Sequence, residues 1–305
     1  MKKILIPFLL LLMLFISGCG SDEQKNGSTS TGKKPETITY ESENGPIEVP
    51  ANPKRVVVLS SFTGNVMSLG ANLVGTDSWS KMNPRFEKDL KDVEEVSDEN
   101  LEKIIELDPD LIIGLSTIKN VDKLSEIAPT VTYTYGKVDY LTQHLEIGKL
   151  LNKEKEAKEW VDDFKKRAQE TGQEIKSKIG EDTTVSVIEN WDKQLYVYGD
   201  NWGRGTEILY QEMKLAMPEK VKEMALKDGY YALSLEVLPE FSGDYVILSK
   251  NLDTDNSFQE TDTYKNIPAV EKDRVFEVNA KEFYFNDPLT LELQLDFFKK
   301  SFLGN

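Results

Sequence analysis

Residues 153–179 read KEKEAKEWVDDFKKRAQETGQEIKSKI, a highly charged run with apolar residues at Trp160, Val161 and Phe164. That pattern predicts an amphipathic helix. With a second helical pattern over 140–151, the helical stretch covers about forty residues near the middle of the chain. Short strands and helices alternate on both sides of it. Upstream, strands are expected over 47–50 and 55–59, a helix through 66–69, a strand over 73–75, a helix over 101–107, a strand over 111–113, a helix over 121–127 and a strand over 131–135. Arg55-Val56-Val57-Val58-Leu59 is a continuous apolar run, as in a parallel strand covered on both faces. Downstream, strands over 184–188 and 195–198, helices over 206–213 and 235–241, strands over 245–248 and 275–278, and a closing helix over 291–302 form a second series. The expected fold is therefore α/β, with two similar lobes around central sheets joined by one long rigid helix. The boundaries are 38–151 for the N-terminal lobe, 152–180 for the connecting helix and 181–305 for the C-terminal lobe. A helix bends little compared with a loop hinge, so it restricts lobe motion, and the cleft between lobes is a favoured ligand site.

The N-terminus places this body outside the cytoplasm. Lys2 and Lys3 precede an apolar run over 4–16 and then Ser17-Gly18-Cys19, the layout of a secretory signal over 1–18. The apolar run is shorter than the ~20 residues a spanning helix needs. Residues 19–37 are rich in Ser, Gly, Lys, Asp and Glu and read as a flexible tether.

Cys19 is the only cysteine, so no intramolecular disulfide or thiolate metal cluster is available. The formal net charge is −16, and losing Lys2 and Lys3 takes it to −16 − 2 = −18. That balance disfavours nucleic acid and anionic lipid as partners.

Ile16-Ser17-Gly18-Cys19 resembles the bacterial lipobox, which makes Cys19 the lipidated first residue of the mature chain. Pro53-Lys54-Arg55-Val56-Val57-Val58, Leu69-Gly70-Ala71-Asn72-Leu73-Val74-Gly75, Leu107-Asp108-Pro109-Asp110-Leu111-Ile112-Ile113 and Ile127-Ala128-Pro129-Thr130-Val131 carry a wider likeness. In these motifs, which run over nearly the whole mature chain, it resembles the solute-binding lipoproteins of iron-siderophore ABC importers. Tyr196-Val197-Tyr198-Gly199-Asp200-Asn201-Trp202-Gly203-Arg204-Gly205 and Phe283-Tyr284-Phe285-Asn286-Asp287-Pro288 look like the ferric hydroxamate (ferrichrome and ferrioxamine) subgroup of Gram-positive bacteria.

The resemblance implies a helical-backbone periplasmic-binding-protein-like fold with a shallow cleft. It also implies a ferric hydroxamate siderophore as ligand, and an ABC permease with its ATPase as partner. The protein would be a monomer held on the outer face of the cell membrane by the lipid on Cys19. Three hydroxamates around Fe(III) form a neutral complex with an oxygen-rich face, so the binder needs flat apolar walls and a few donors. No protein cofactor or iron ligand is required. Arg204 offers five planar donors suited to hydroxamate oxygens. Trp202 and Tyr196 supply aromatic wall and hydroxyl. By motif position Tyr284 is a second-lobe wall residue, where some relatives carry Trp, and Tyr135 a first-lobe tyrosine donor. Trp79, Ser61 and Phe62 are further candidates on loops following strands. Glu102 and Glu236 match the positions at which the family pairs with permease arginines. Each also opens a helix, where a carboxylate favours the helix dipole.

Other readings are separable. A metal-ion binder of related architecture needs several His with Asp or Glu, whereas His144 is the only histidine and sits among apolar helix positions as a half-buried packing residue. Catecholate or citrate siderophores, haem and cobalamin are the alternatives on the same fold. Of a different class, a nucleophilic hydrolase lacks any Gly-x-Ser-x-Gly, Walker or His-Glu-x-x-His pattern. A surface-anchored carboxylate-pair hydrolase is not separable by pattern, because 53 acidic residues make such pairs uninformative.

Overall fold

The computed structural model describes residues 36–304, so the signal segment, Cys19 and nearly all of the tether lie outside the described residues. The described chain holds a small hairpin and two five-stranded sheets. The hairpin pairs β1 (Thr37–Ser42) antiparallel with β2 (Gly45–Pro50). β1 is absent from the expected elements, and its first residue, Thr37, falls within the range expected for the tether. Its apolar residues are sparse, but buried Tyr40 and Val49 dock the hairpin on the first lobe, where the Tyr40 and Tyr133 hydroxyls meet at 3.1 Å.

The first lobe carries β3 (Val56–Val58), β4 (Leu73–Thr76), β5 (Glu94–Glu95), β6 (Leu111–Leu115) and β7 (Thr130–Tyr133) in the order β5-β4-β3-β6-β7. All four pairings are parallel. Side chains alternate along a strand, which explains the continuous apolar run. Val56 and Val58 pack with Ile147 and Leu150 on one face. Val57 packs with Ile104, Ile112 and Leu124 on the other. The covering helices are α1 (Thr63–Ser68), α3 (Leu101–Glu106), α4 (Val121–Ile127) and α5 (Tyr140–Leu150), while the short α2 (Ser78–Lys81) packs through Trp79 on Tyr284 and Phe285 of the second lobe.

The long charged segment is α6 (Glu154–Ile179), 26 residues and so about 39 Å at 1.5 Å per residue. Ala157, Val161, Phe164, Ala168, Thr171, Gly172 and Ile175 are buried along one stripe. That stripe meets α5 of the first lobe and both the closing helix Pro288–Leu303 and the turn Glu207–Glu212 of the second. Gly172 is required there: an added Cβ would lie 2.4 Å from the Met213 carbonyl oxygen. Trp160 Nε1 and the Arg167 guanidinium both donate to Glu292 of the closing helix, fixing the bridge to the second lobe.

The second lobe orders β8 (Val185–Trp191), β9 (Gln194–Tyr198), β10 (Tyr230–Leu233), β11 (Tyr245–Lys250) and β12 (Val275–Asn279) as β10-β9-β8-β11-β12. β8, β11 and β12 are parallel, whereas β9 runs antiparallel to both β8 and β10. Asp192 and Lys193, at φ 46° and 68°, make the two-residue turn that folds β9 back on β8. β10 was not anticipated. The helix expected over 206–213 is a π-helical turn, and that over 235–241 splits into a 3₁₀ turn (Leu235–Val237) and a short α-helix (Leu238–Phe241).

Candidate functional site

The site starts from three consecutive left-handed residues. Gly203, Arg204 and Gly205 have φ of 67°, 57° and 84°, a run that costs an L side chain energy at Arg204 and persists only where surroundings hold it. Those surroundings are the loop before the closing helix. The Arg204 backbone N–H donates to the Phe283 carbonyl at 2.7 Å. A Cβ on Gly203 would lie 2.2 Å from the Tyr284 carbonyl oxygen. Buried Glu207 accepts from the Gly203 N–H and from Asn286 Nδ2, each at 2.9 Å. Burial pushes the Glu207 carboxyl above its usual range. The two sequence motifs that carried the hydroxamate resemblance are thus laced into one structure.

This lacing turns the Arg204 side chain inward, and only 8% of the residue is exposed. Its Nε donates to Glu189 Oε2 at 2.7 Å and its Nη1 to the Trp202 carbonyl at 3.1 Å. Nη2 makes no hydrogen bond among the described residues. The guanidinium lies between the Tyr198 and Tyr284 rings, 4.7 and 4.5 Å from their centroids, with Trp191 at 5.9 Å. Glu189 is fully buried in β8 and also accepts from the Tyr198 hydroxyl at 3.0 Å. Burial opposes the Arg204 charge, but Tyr198, Glu189 and Tyr284 more than offset it and raise the guanidinium pKa. Arg204 and Glu189 thus form a buried ion pair whose opposite charges offset each other. Glu189 Oε1 and the Tyr284 hydroxyl are buried and without a partner among the described residues.

Aromatic rings continue from this unit in both directions. Trp79 of the first lobe stacks on Tyr284 at 5.0 Å and 14°. On the other side Tyr198 neighbours Tyr196 at 6.5 Å, Tyr196 meets Tyr230 at 5.8 Å, and Tyr230 meets Trp202 at 4.9 Å. Trp202 then meets Tyr135 of the first lobe at 5.9 Å, and the Tyr135 hydroxyl donates to the Asn201 carbonyl at 3.4 Å. The arc begins and ends in the first lobe and passes through the second. Tyr135 remains 49% exposed. It also borders an interlobe cavity of about 800 Å³, whose lining is mostly polar and includes Asp139, Gln143, Asp200, Glu207, Glu212 and Asn286. Arg204, Trp202, Tyr284 and Trp79 do not line that cavity.

Other expected positions fall differently. Trp79 lies not on a loop but in α2, where the Asp77 side chain caps the helix by accepting from the Ser80 N–H at 2.6 Å. Ser61 sits in a left-handed turn after β3 and lines the cavity. Phe62 also borders it but is buried in the first-lobe core, edge-on to Tyr133 at 5.4 Å. His144 is buried, not half-buried: Asn65 Oδ1 lies 3.0 Å from its Nδ1, and the Trp160 ring meets it edge-to-face at 5.2 Å. Glu102 in the first turn of α3 and Glu236 in its 3₁₀ turn are exposed.

Sequence reasoning missed Glu189, Trp191, Tyr198 and Tyr230 as candidates. The usable signal was Glu189 itself, an acid directly after the strand expected over 184–188, where an unpaired buried charge would be costly.

Residues 56–282 match the model of the periplasmic binding protein family, and the chain belongs to that family. It is 36% identical to the iron(3+)-hydroxamate-binding protein FhuD of Bacillus subtilis over 96% of this chain and 95% of that one. Against the iron(3+)-hydroxamate-binding protein YxeB of the same species, identity is 37% over 97% and 95%. The structure of FhuD2 from Staphylococcus aureus with bound ferrioxamine B superposes with a TM-score of 0.79 at 34% identity, covering 83% of this chain and 99% of that one.

Proposed function

We propose that this protein is an extracytoplasmic solute-binding lipoprotein that captures ferric hydroxamate siderophores and delivers them to an ABC permease for iron uptake. The observation that carries the reading is the neutral Arg204–Glu189 pair held between Tyr198 and Tyr284 within the aromatic arc. The Fe(III)–tris(hydroxamate) core is itself neutral, and a wall without net charge takes it up at little desolvation cost. The free Nη2 edge is the donor that would meet a hydroxamate oxygen, a charge-assisted bond stronger than a neutral one. Tyr135 borders the interlobe cavity and its ring meets Trp202 across the lobes, so the two would touch ligand from both sides. The hydroxamate-binding relatives support the ligand class.

In this reading the lobes are 38–151 and 181–305, bridged by the helix within 152–180, and the tether ends at a lipid on Cys19. The anchor keeps a diffusible capture protein beside its permease, raising local concentration. Glu102 and Glu236 are the surface carboxylates proposed to pair with permease arginines.

The test is tryptophan fluorescence of the purified protein titrated with ferrioxamine B, ferrichrome, a ferric catecholate, ferric citrate, haem and cobalamin. Saturable quenching at one hydroxamate chelate per protein is expected. No quenching and no thermal shift with any ferric hydroxamate overturns the assignment, and saturation by another compound alone moves the ligand class.

A further inference from the structure

We infer that Tyr230 is a specificity-determining wall residue of the same site, contacting the organic chain that links the hydroxamates and not the iron centre. This rests on the proposed function and extends it to a residue outside both recognised motifs.

The placement follows from strand register. β10 pairs with β9 so that Tyr230 is opposite Tyr198 and Ala232 opposite Tyr196. Opposed residues share a sheet face, so Tyr196, Tyr198, Tyr230 and Ala232 lie on one side. The intervening Tyr231 points the other way and stacks on buried Phe241 at 5.5 Å. Tyr231 therefore serves the core, and Tyr230 does not.

The chain before Tyr230 is shaped to present it. Gly229 is left-handed at φ 83°, and a Cβ there would lie 2.6 Å from Trp202 Cε3. The absent side chain lets the indole lie against the backbone, and the Tyr230 ring then meets Trp202 at 4.9 Å and Tyr196 at 5.8 Å. Tyr230 nonetheless stays 39% exposed. A ring that packs on two aromatic neighbours and keeps a free face offers an apolar platform to a ligand.

The chemistry assigns what this platform meets. Tyr230 is separated from Arg204 by Tyr196 and Tyr198 along the arc, so a chelate with its oxygen face at Arg204 extends its linking chain toward Tyr230. Methylene and peptide segments of that chain gain from apolar contact, whereas a compact complex without linkers does not reach.

The experiment compares the Kd of wild type, Tyr230→Thr and Tyr230→Phe for ferrioxamine B and for the unlinked ferric tris(acetohydroxamate) complex, the latter by competition. Threonine removes the ring while keeping a strand-forming residue, and circular dichroism with thermal melting confirms the fold. Tyr230→Thr is expected to weaken ferrioxamine B about tenfold and the unlinked complex by less than about twofold, with Tyr230→Phe close to wild type. Unchanged ferrioxamine affinity in Tyr230→Thr overturns the inference. So does an equal loss for both complexes, or a Tyr230→Phe loss as large as that of Tyr230→Thr. Failure of wild type to bind either complex sinks the parent reading instead.

Discussion

Asp287 fills the space that a side chain on Gly64 would need: a Cβ built there would lie 2.1 Å from Asp287 Cγ. Gly64 is in α1 of the first lobe, and Asp287 caps the closing helix of the second by accepting from the Leu289 and Thr290 N–H groups. The two lobes thus touch directly, beside the α6 bridge.

Gly64→Ala is therefore expected to strain the lobe contact and destabilise the protein by about 1–3 kcal/mol, the usual cost of overpacking. Urea unfolding of wild type and variant measures it. Unchanged stability would mean that the α1 contact yields freely.

Arg204→Ala leaves Glu189 as a buried uncompensated charge, and loss of one partner of such a pair costs about 3–5 kcal/mol. The same change is expected to weaken ferric hydroxamate binding about 10–100-fold through the lost charged donor. Adding Glu189→Ala should restore much of the stability but not the binding. Thermal melts and titrations on the two single variants and the double variant check both halves. Equal stability of Arg204→Ala and wild type would refute the buried-pair argument.

Burial lowers the His144 pKa from 6.5 to about 4. The folded state therefore binds fewer protons than the unfolded state between these values, so His144 contributes stability above about pH 6.5 that is lost as the pH falls toward about 4. The full loss is at most about 3 kcal/mol by linkage. The buried carboxyls of Asp77, Glu207 and Asp287 are raised by burial and work in the opposite direction, favouring the fold as they protonate. The measurement is consequently a difference: urea stability of wild type minus His144→Gln at pH 7 and pH 4.5. The difference should shrink or reverse on acidification. A pH-independent difference contradicts the assignment.

Glu102→Ala combined with Glu236→Ala should leave siderophore affinity within about twofold, because both side chains are exposed and surface changes remote from a site act weakly. Uptake of iron-labelled chelate by cells carrying the double variant should fall. Normal uptake removes the docking role.

Strong periodicity made much of the fold legible. The apolar stripe of α6 and the Val56–Val58 run report burial that helix and strand geometry impose locally. β1 and β10 escaped because they are short and mostly polar or exposed, and acquire their partners only in three dimensions. The site shows the same division. Arg204 and Trp202 were legible from a glycine-flanked motif that also contains Tyr198, whereas Glu189 and Tyr230 looked like ordinary strand residues.

By itself the sequence determined the two α/β series, the helix between them and the motif residues around Arg204, since each follows from local period, turn chemistry or resemblance. Only the tertiary structure decided that Arg204 is buried and neutralised by Glu189, that His144 is sealed under Trp160, and that Trp79 and Tyr135 from one lobe close an aromatic arc built on the other. The reason is physical: a side chain's charge balance and exposure depend on neighbours distant along the chain, and no local pattern encodes which strands and loops pack against it.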